Sequence, residues 1–170
     1  MNITQKHFRQ YIGLFSAVTA YYLIHEGAHL LYAAAVGAFK SVRFMGIGIQ
    51  IEVFAETMSE GQLFLFCLAG PAAALAAGWG LTLLAKKICR LSSRLMKACA
   101  YYTTLALLLL DPLYLSLLCG FVGGGDMNGI ALLLPEQFVR AGFALLLAGN
   151  IFLIFRRILP LYRAAFANEA

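Results

Sequence analysis

Two histidines and a glutamate in one short helical stretch are the residues of this chain best suited to chemistry. His25-Glu26-Gly27-Ala28-His29 has the HExxH pattern, whose four-residue spacing stacks both imidazoles on one helix face, one turn apart. Two neutral imidazoles so placed can hold one metal ion. Zinc suits nitrogen donors, and three protein ligands leave it an open position for water. Glu26 projects toward that open side, where a carboxylate can take a proton from water and return it to a leaving amine. The plainer alternative is a pair of helix-packing histidines bonded to neighbouring backbone. Their setting weighs against it: the three ionisable groups lie midway along an apolar run, where such groups are costly and mark function.

A third ligand has to come from elsewhere, and Asp126, Asp111 and Glu136 are the candidates. Asp126 follows Gly123-Gly124-Gly125, a backbone flexible enough to carry a carboxylate into a protein-lined cavity, and is the expected ligand. Its alternative role is a helix N-cap. Asp111 lies within an apolar run of its own and is the alternative ligand, or else a buried polar group paired across helices. Glu136, beside Pro135 and near Arg140, reads as an interfacial charge.

The elements that must bring these groups together are apolar. Of 170 residues, 62% are hydrophobic and 12% charged, and the mean hydropathy is +0.81. A soluble domain is about half apolar and about a quarter charged, so the expected solvent is a lipid bilayer. The expectation is an all-α membrane protein, one domain over 1–170 with about four transmembrane helices. With about 20 residues per span, the spans fall near 11–36, 62–85, 98–118 and 138–155. Between the first two, Met45, Ile47, Ile49, Ile51 and Val53 recur at every second position over 41–54, the repeat of a strand. A short membrane-associated β-strand or hairpin is expected there, with Gly46 and Gly48 leaving backbone accessible. A Gly-rich break over 120–126 precedes the last span. Ala72, Ala73, Ala74, Ala76, Ala77 and Gly78 give the second span a small-residue face for close helix packing.

The net charge of +5 comes from basic residues in short segments between apolar runs. It points to membrane topology and away from nucleic acid. Lys and Arg counts put the N-terminus, the Lys86 to Lys97 loop and the C-terminal Arg156, Arg157 and Arg163 on the cytoplasmic side of a prokaryotic plasma membrane. The strand segment and Asp126 then share the opposite side. The start, with Lys6, His7 and Arg9, lacks a small-residue cleavage site and reads as a mature first helix. Cys67, Cys89, Cys99 and Cys119 show no CxxC pairing and read as reduced, buried small side chains.

In these features the chain resembles a site-2-protease-type intramembrane zinc metalloprotease. His25 to His29 matches that family's HExxH on its first core helix. The segment 41–54 sits where members have a membrane-associated strand, Ala69-Gly70-Pro71 looks like their Ala-Gly-Pro element, and Asp126 matches their distal aspartate. The likeness covers about Tyr11 to Leu134. Where the family often has an Asn three residues after that proline, this chain has Ala74, and its distal motif reads Gly125-Asp126-Met127-Asn128-Gly129. It is similar, then, to a divergent, minimal member.

The resemblance implies that His25, His29 and Asp126 bind Zn2+ and that Glu26 activates water to hydrolyse peptide bonds of transmembrane or membrane-associated substrates. The strand around Ile49 and Ile51 is expected to hold an extended substrate segment by edge pairing. Asn128 is a candidate substrate or oxyanion contact, and Asn150 is the alternative to it. A membrane metal carrier or sensor would use the same ligands without Glu26, and a non-catalytic interaction protein would use none of them.

Overall fold

A computed structural model describes residues 3–45 and 48–167, and along them the chain is mostly helical. The first helix, α1 (Ile3–Ala35), stops where its apolar run meets Gly37. That glycine takes a left-handed backbone, φ 71°, and the Ala38 N–H reaches back to the Ala33 carbonyl. The alternating segment forms two antiparallel strands, β1 (Phe39–Met45) and β2 (Gly48–Val53), with Val42 opposite Ile51 and Phe44 opposite Ile49. Gly46 and Ile47, expected in the same segment, lie outside the described residues. Ile51 is buried, with Val53 beside it, against Ala33 of α1, and Phe66 of the next helix belongs to the same cluster.

The second helix, α2 (Glu60–Ile88), opens on a capping box. The Ser59 hydroxyl accepts from the Gln62 N–H, and the Gln62 side chain accepts from the Ser59 N–H. The next two long helices, α3 (Arg94–Val122) and, after the short α4 (Gly125–Ile130), α5 (Glu136–Ala167), outrun the spans 98–118 and 138–155. Each continues through a π turn, Tyr114–Leu118 in α3 and Ile154–Ile158 in α5. In α3 the π turn follows Pro112, whose carbonyl accepts from the Ser116 hydroxyl. In α5 it precedes Pro160, so the missing amide falls where the hydrogen-bond ladder has already widened. The break expected over 120–126 narrows to Gly123 and Gly124. A glycine inside a helix costs only about 1 kcal/mol, and Gly120 stays helical.

Among the described residues, α2, α3 and α5 are long and apolar enough to cross a membrane. Four spans were expected. α1 has the length, 33 residues, but its polar start and the ionisable groups His25 and Glu26 lower its hydropathy. It packs along α3 and α2, while α3 also packs on α5 and α4 lies against α2. Gly78 lets α2 approach Leu107 and Leu108 of α3 closely. The buried Asn150 amide ties three helices: it accepts from the Trp79 indole N–H at 3.1 Å and donates to the Leu108 carbonyl at 2.7 Å. Large apolar side chains point outward, among them Tyr11, Phe15, Leu23 and Leu31 of α1, Leu83 of α2 and Leu145 of α5.

Candidate metal centre

The helical turn between His25 and His29 sets their Nε2 atoms 3.1 Å apart, and both side chains are buried. Asp126, on the first turn of α4, reaches the same point from a helix packed on α2. Its carboxylate oxygens lie 3.3 Å from His25 Nε2 and 3.4 Å from His29 Nε2. One donor atom from each of the three residues lies within 4.8 Å of the other two.

The other nitrogen of each ring decides what these atoms can do. His29 Nδ1 is 2.7 Å from the Phe66 carbonyl, which can only accept, so Nδ1 carries the hydrogen. His25 Nδ1 faces the buried Asp111 carboxylate at 3.2 Å from one oxygen and 3.3 Å from the other, and the Tyr21 hydroxyl donates to Asp111 at 2.6 Å. With both Nδ1 positions donating, the Nε2 lone pairs point at each other and at the Asp126 carboxylate. A proton satisfies one pair of these atoms; a metal ion satisfies all three. Two imidazole nitrogens and a carboxylate with an open side fit zinc, and Nδ1–H bonded to a carbonyl or carboxylate is the usual support of a metal-binding histidine.

α2 can approach the two imidazoles this closely only because residue 70 is glycine. A Cβ there would fall on His29 Nε2 and within 2.8 Å of His25 Nε2. The Gly-rich turn is held in its own way. Gly123 has φ 101°, which side-chain-bearing residues rarely adopt, and the Tyr114 hydroxyl donates to its carbonyl at 2.6 Å. That bond fixes where the chain turns back to present Asp126.

A cavity of about 440 Å³ opens beside the three donors and is lined by Glu26, Tyr22, Ile49 and the turn Gly123 to Gly125. Glu26 also lines an adjoining, mostly apolar groove of about 410 Å³ with Leu23, Leu30, Val42, Ile49 and Ile51. Its carboxylate accepts from the Ile51 backbone N–H at 3.2 Å. Alternate residues of a strand share an edge, so Ile49 and Ile51 direct their backbone groups away from β1 and toward α1.

The structure thus brings His25, His29, Glu26, Asp126, Ile49 and Ile51 together. Asp111 meets His25 at Nδ1, the nitrogen turned away from Asp126. Asn128 is exposed on α4 and is not part of the cavity lining. Asn150 is committed to Trp79 and Leu108. Glu136 pairs with Arg140 at 2.7 Å on the first turn of α5. Among the cysteines, Cys119 is buried and the other three are half-buried, all with free thiols. Sequence reasoning passed over Tyr21, Tyr114 and the Phe66 carbonyl. Tyr21 lies four residues before His25, and that spacing was the one available signal.

No family model matches the chain, and neither a curated protein nor a solved structure matches it.

Proposed function

We propose that the chain is an integral membrane zinc endopeptidase that cuts transmembrane or membrane-associated proteins, as site-2-type proteases do. The observation that carries this reading is the convergence of three metal-ligating side chains, with His25 Nε2, His29 Nε2 and the Asp126 carboxylate gathered at one point. Glu26 beside them favours hydrolysis over metal transport, because a carrier needs ligands but no base. Outward-facing apolar side chains on α1 as well as on α2 and α5 support a bilayer around all four long helices. Soluble monomers rarely expose large apolar patches. Arg9, at the start of α1, lies 16 residues, about 24 Å of helix, from His25. Together with Lys86, Lys87 and Arg94 it marks the end away from the site as cytoplasmic.

When bound, zinc polarises a carbonyl and acidifies water at neutral pH. The residues do the rest. Asp111 and the Phe66 carbonyl hold the two rings with Nε2 turned inward. An extended substrate segment lies along the outer edge of β2 and sets an apolar side chain in the groove of Leu23, Leu30 and Val42. Its backbone takes the Ile51 N–H from Glu26, which frees that carboxylate to accept the proton of water and pass it to the leaving amine nitrogen. Backbone N–H groups of the turn Gly123 to Gly125 face the developing oxyanion.

The test is cleavage of synthetic single-span peptides by the full chain and by Glu26→Gln, read by mass spectrometry alongside zinc content. The reading requires a variant that keeps its zinc and loses cleavage. Unchanged cleavage by Glu26→Gln overturns the assigned base, and zinc binding with no cleavage by the wild type leaves a metal carrier in its place.

A further inference from the structure

Gly70 and Gly27 are bare for different reasons. At Gly70 an added Cβ would meet both imidazoles, whereas at Gly27 it would meet nothing within 4 Å. Gly27 lies inside α1, and the glycines with positive φ among the described residues are Gly37, Gly123 and Gly125. Neither a turn nor a close approach therefore requires glycine at 27, and within a helix glycine is a poorer residue than alanine. What lies over Gly27 is the groove of about 410 Å³ between α1 and the hairpin, walled by Leu23, Leu30, Val42, Ile49 and Ile51. Among the described residues, Glu26 is the one charged group lining it. Leu23 and Val42 are exposed, so the groove opens to the outside of the bundle.

Tyr22, Glu26 and Ile49 line both this groove and the cavity beside the three donors, so the two spaces meet at the proposed base. The groove has the size of a ligand site, about 300–1,000 Å³. Successive side chains of an extended segment point to opposite faces. Of the two residues joined by a bond lying at Glu26, one therefore turns its side chain toward Gly27. We propose that Gly27 makes this groove the subsite for a large apolar side chain, of leucine or phenylalanine size, on a residue flanking the bond to be cut. This assignment rests on the hydrolytic reading above and adds the class of residue it selects.

The experiment uses the full chain with zinc in neutral detergent and single-span peptides carrying Phe, Leu or Ala beside a cut mapped by mass spectrometry. The wild type is expected to favour Phe or Leu over Ala by about tenfold or more in kcat/KM, since one methylene in an apolar pocket is worth about 10–200-fold. Gly27→Leu, which sets a side chain in the groove, should lower that ratio by about tenfold or more. Gly27→Ala should lower it in the same direction and serves if the leucine variant does not fold. A peptide with benzoylphenylalanine at the same position gives a reading that needs no turnover. On irradiation it should label Leu23, Leu30, Val42 or Ile51 in the wild type and label them less in Gly27→Leu. Labelling of the groove without cleavage of any peptide supports the subsite and overturns the hydrolytic reading. Equal cleavage of the Phe and Ala peptides, the result if a lipid chain fills the groove, overturns the subsite and leaves hydrolysis standing. Labelling elsewhere, or a ratio unmoved in a folded Gly27 variant, overturns it as well.

Discussion

The backbone N–H of Ile51 donates to the carboxylate of Glu26 at 3.2 Å, joining the hairpin to the helix that carries the two histidines. The strand edge beside the candidate metal centre is therefore already partnered, by the residue proposed as base. Glu26→Ala removes that acceptor. A hydrogen bond to a charged group contributes about 1.5–3 kcal/mol, so amide exchange over 48–53 should speed up by about tenfold or more. Glu26→Gln keeps an acceptor oxygen and should leave exchange near wild type. Equal exchange in the two variants would show that the bond does not hold the hairpin.

Asp111 was open to two roles in the sequence, ligand or buried partner, and the geometry gives it the second nitrogen of His25. Asp111→Asn should weaken zinc binding by about 10–100-fold, the usual effect of removing a supporting carboxylate, without abolishing it. Tyr21→Phe should act in the same direction and less strongly. Competition against a chelator of known affinity measures both. Complete loss of binding in Asp111→Asn would instead make Asp111 a ligand.

Gly70→Ala introduces a Cβ at the two Nε2 atoms. The helix fold has no quarrel with alanine, so secondary structure by circular dichroism should be kept. Zinc retention after dialysis should fall at least tenfold, about the loss expected when a support of the site is disturbed. Retention at the wild-type level would mean that α2 does not approach the histidines this closely.

Part of this arrangement was legible in the residues and part was not, for a physical reason. The spacing of His25 and His29 puts them on one face whatever the helix packs against, and the alternation of Ile49, Ile51 and Val53 belongs to a strand in any context. Contacts between elements depend on how helices rotate about their axes. For that reason nothing in the sequence told which nitrogen Asp111 would meet, 86 residues away. A backbone carbonyl such as that of Phe66 carries no residue-type signal at all. Gly70 stood out only as the centre of Ala69-Gly70-Pro71, and the groups it admits became visible only with α1 in place. The end of α3 was read short because glycines punctuate a sequence more strongly than they break a packed helix, and that of α5 because its apolar run meets Arg156 and Arg157, whereas in the structure both helices continue through a π turn.

Glu52, on the hairpin, carries a pH dependence of known sign. The Ser41 hydroxyl donates to it at 2.8 Å and Arg43 pairs with it at 3.2 Å, which holds its carboxyl below the ordinary 4.5. The unfolded hairpin therefore takes up the proton first. The stabilisation is full above about pH 4.5 and is lost as pH falls through the lower folded value. Carbon-13 titration of Glu52 should give a midpoint below 4.5 that rises in Ser41→Ala. The same midpoint in both proteins would contradict the assignment.

Asn150→Ala leaves the Trp79 indole N–H and the Leu108 carbonyl without their partner. It should destabilise the bundle by about 1–2 kcal/mol. Unfolding in mixed micelles followed by the fluorescence of Trp79, the one tryptophan, measures it. A change within error would mean that water or lipid replaces the amide at no cost.

The central claim is that His25, His29 and Asp126 ligate one zinc ion. X-ray absorption at the zinc edge, on the full chain loaded with one equivalent, tests it most directly. The account predicts two imidazole nitrogens at about 2.0–2.1 Å and carboxylate or water oxygen at about 2.0–2.2 Å, with one imidazole lost in His29→Ala. A sulfur scatterer at about 2.3 Å, or a first shell unchanged in His29→Ala, would contradict it.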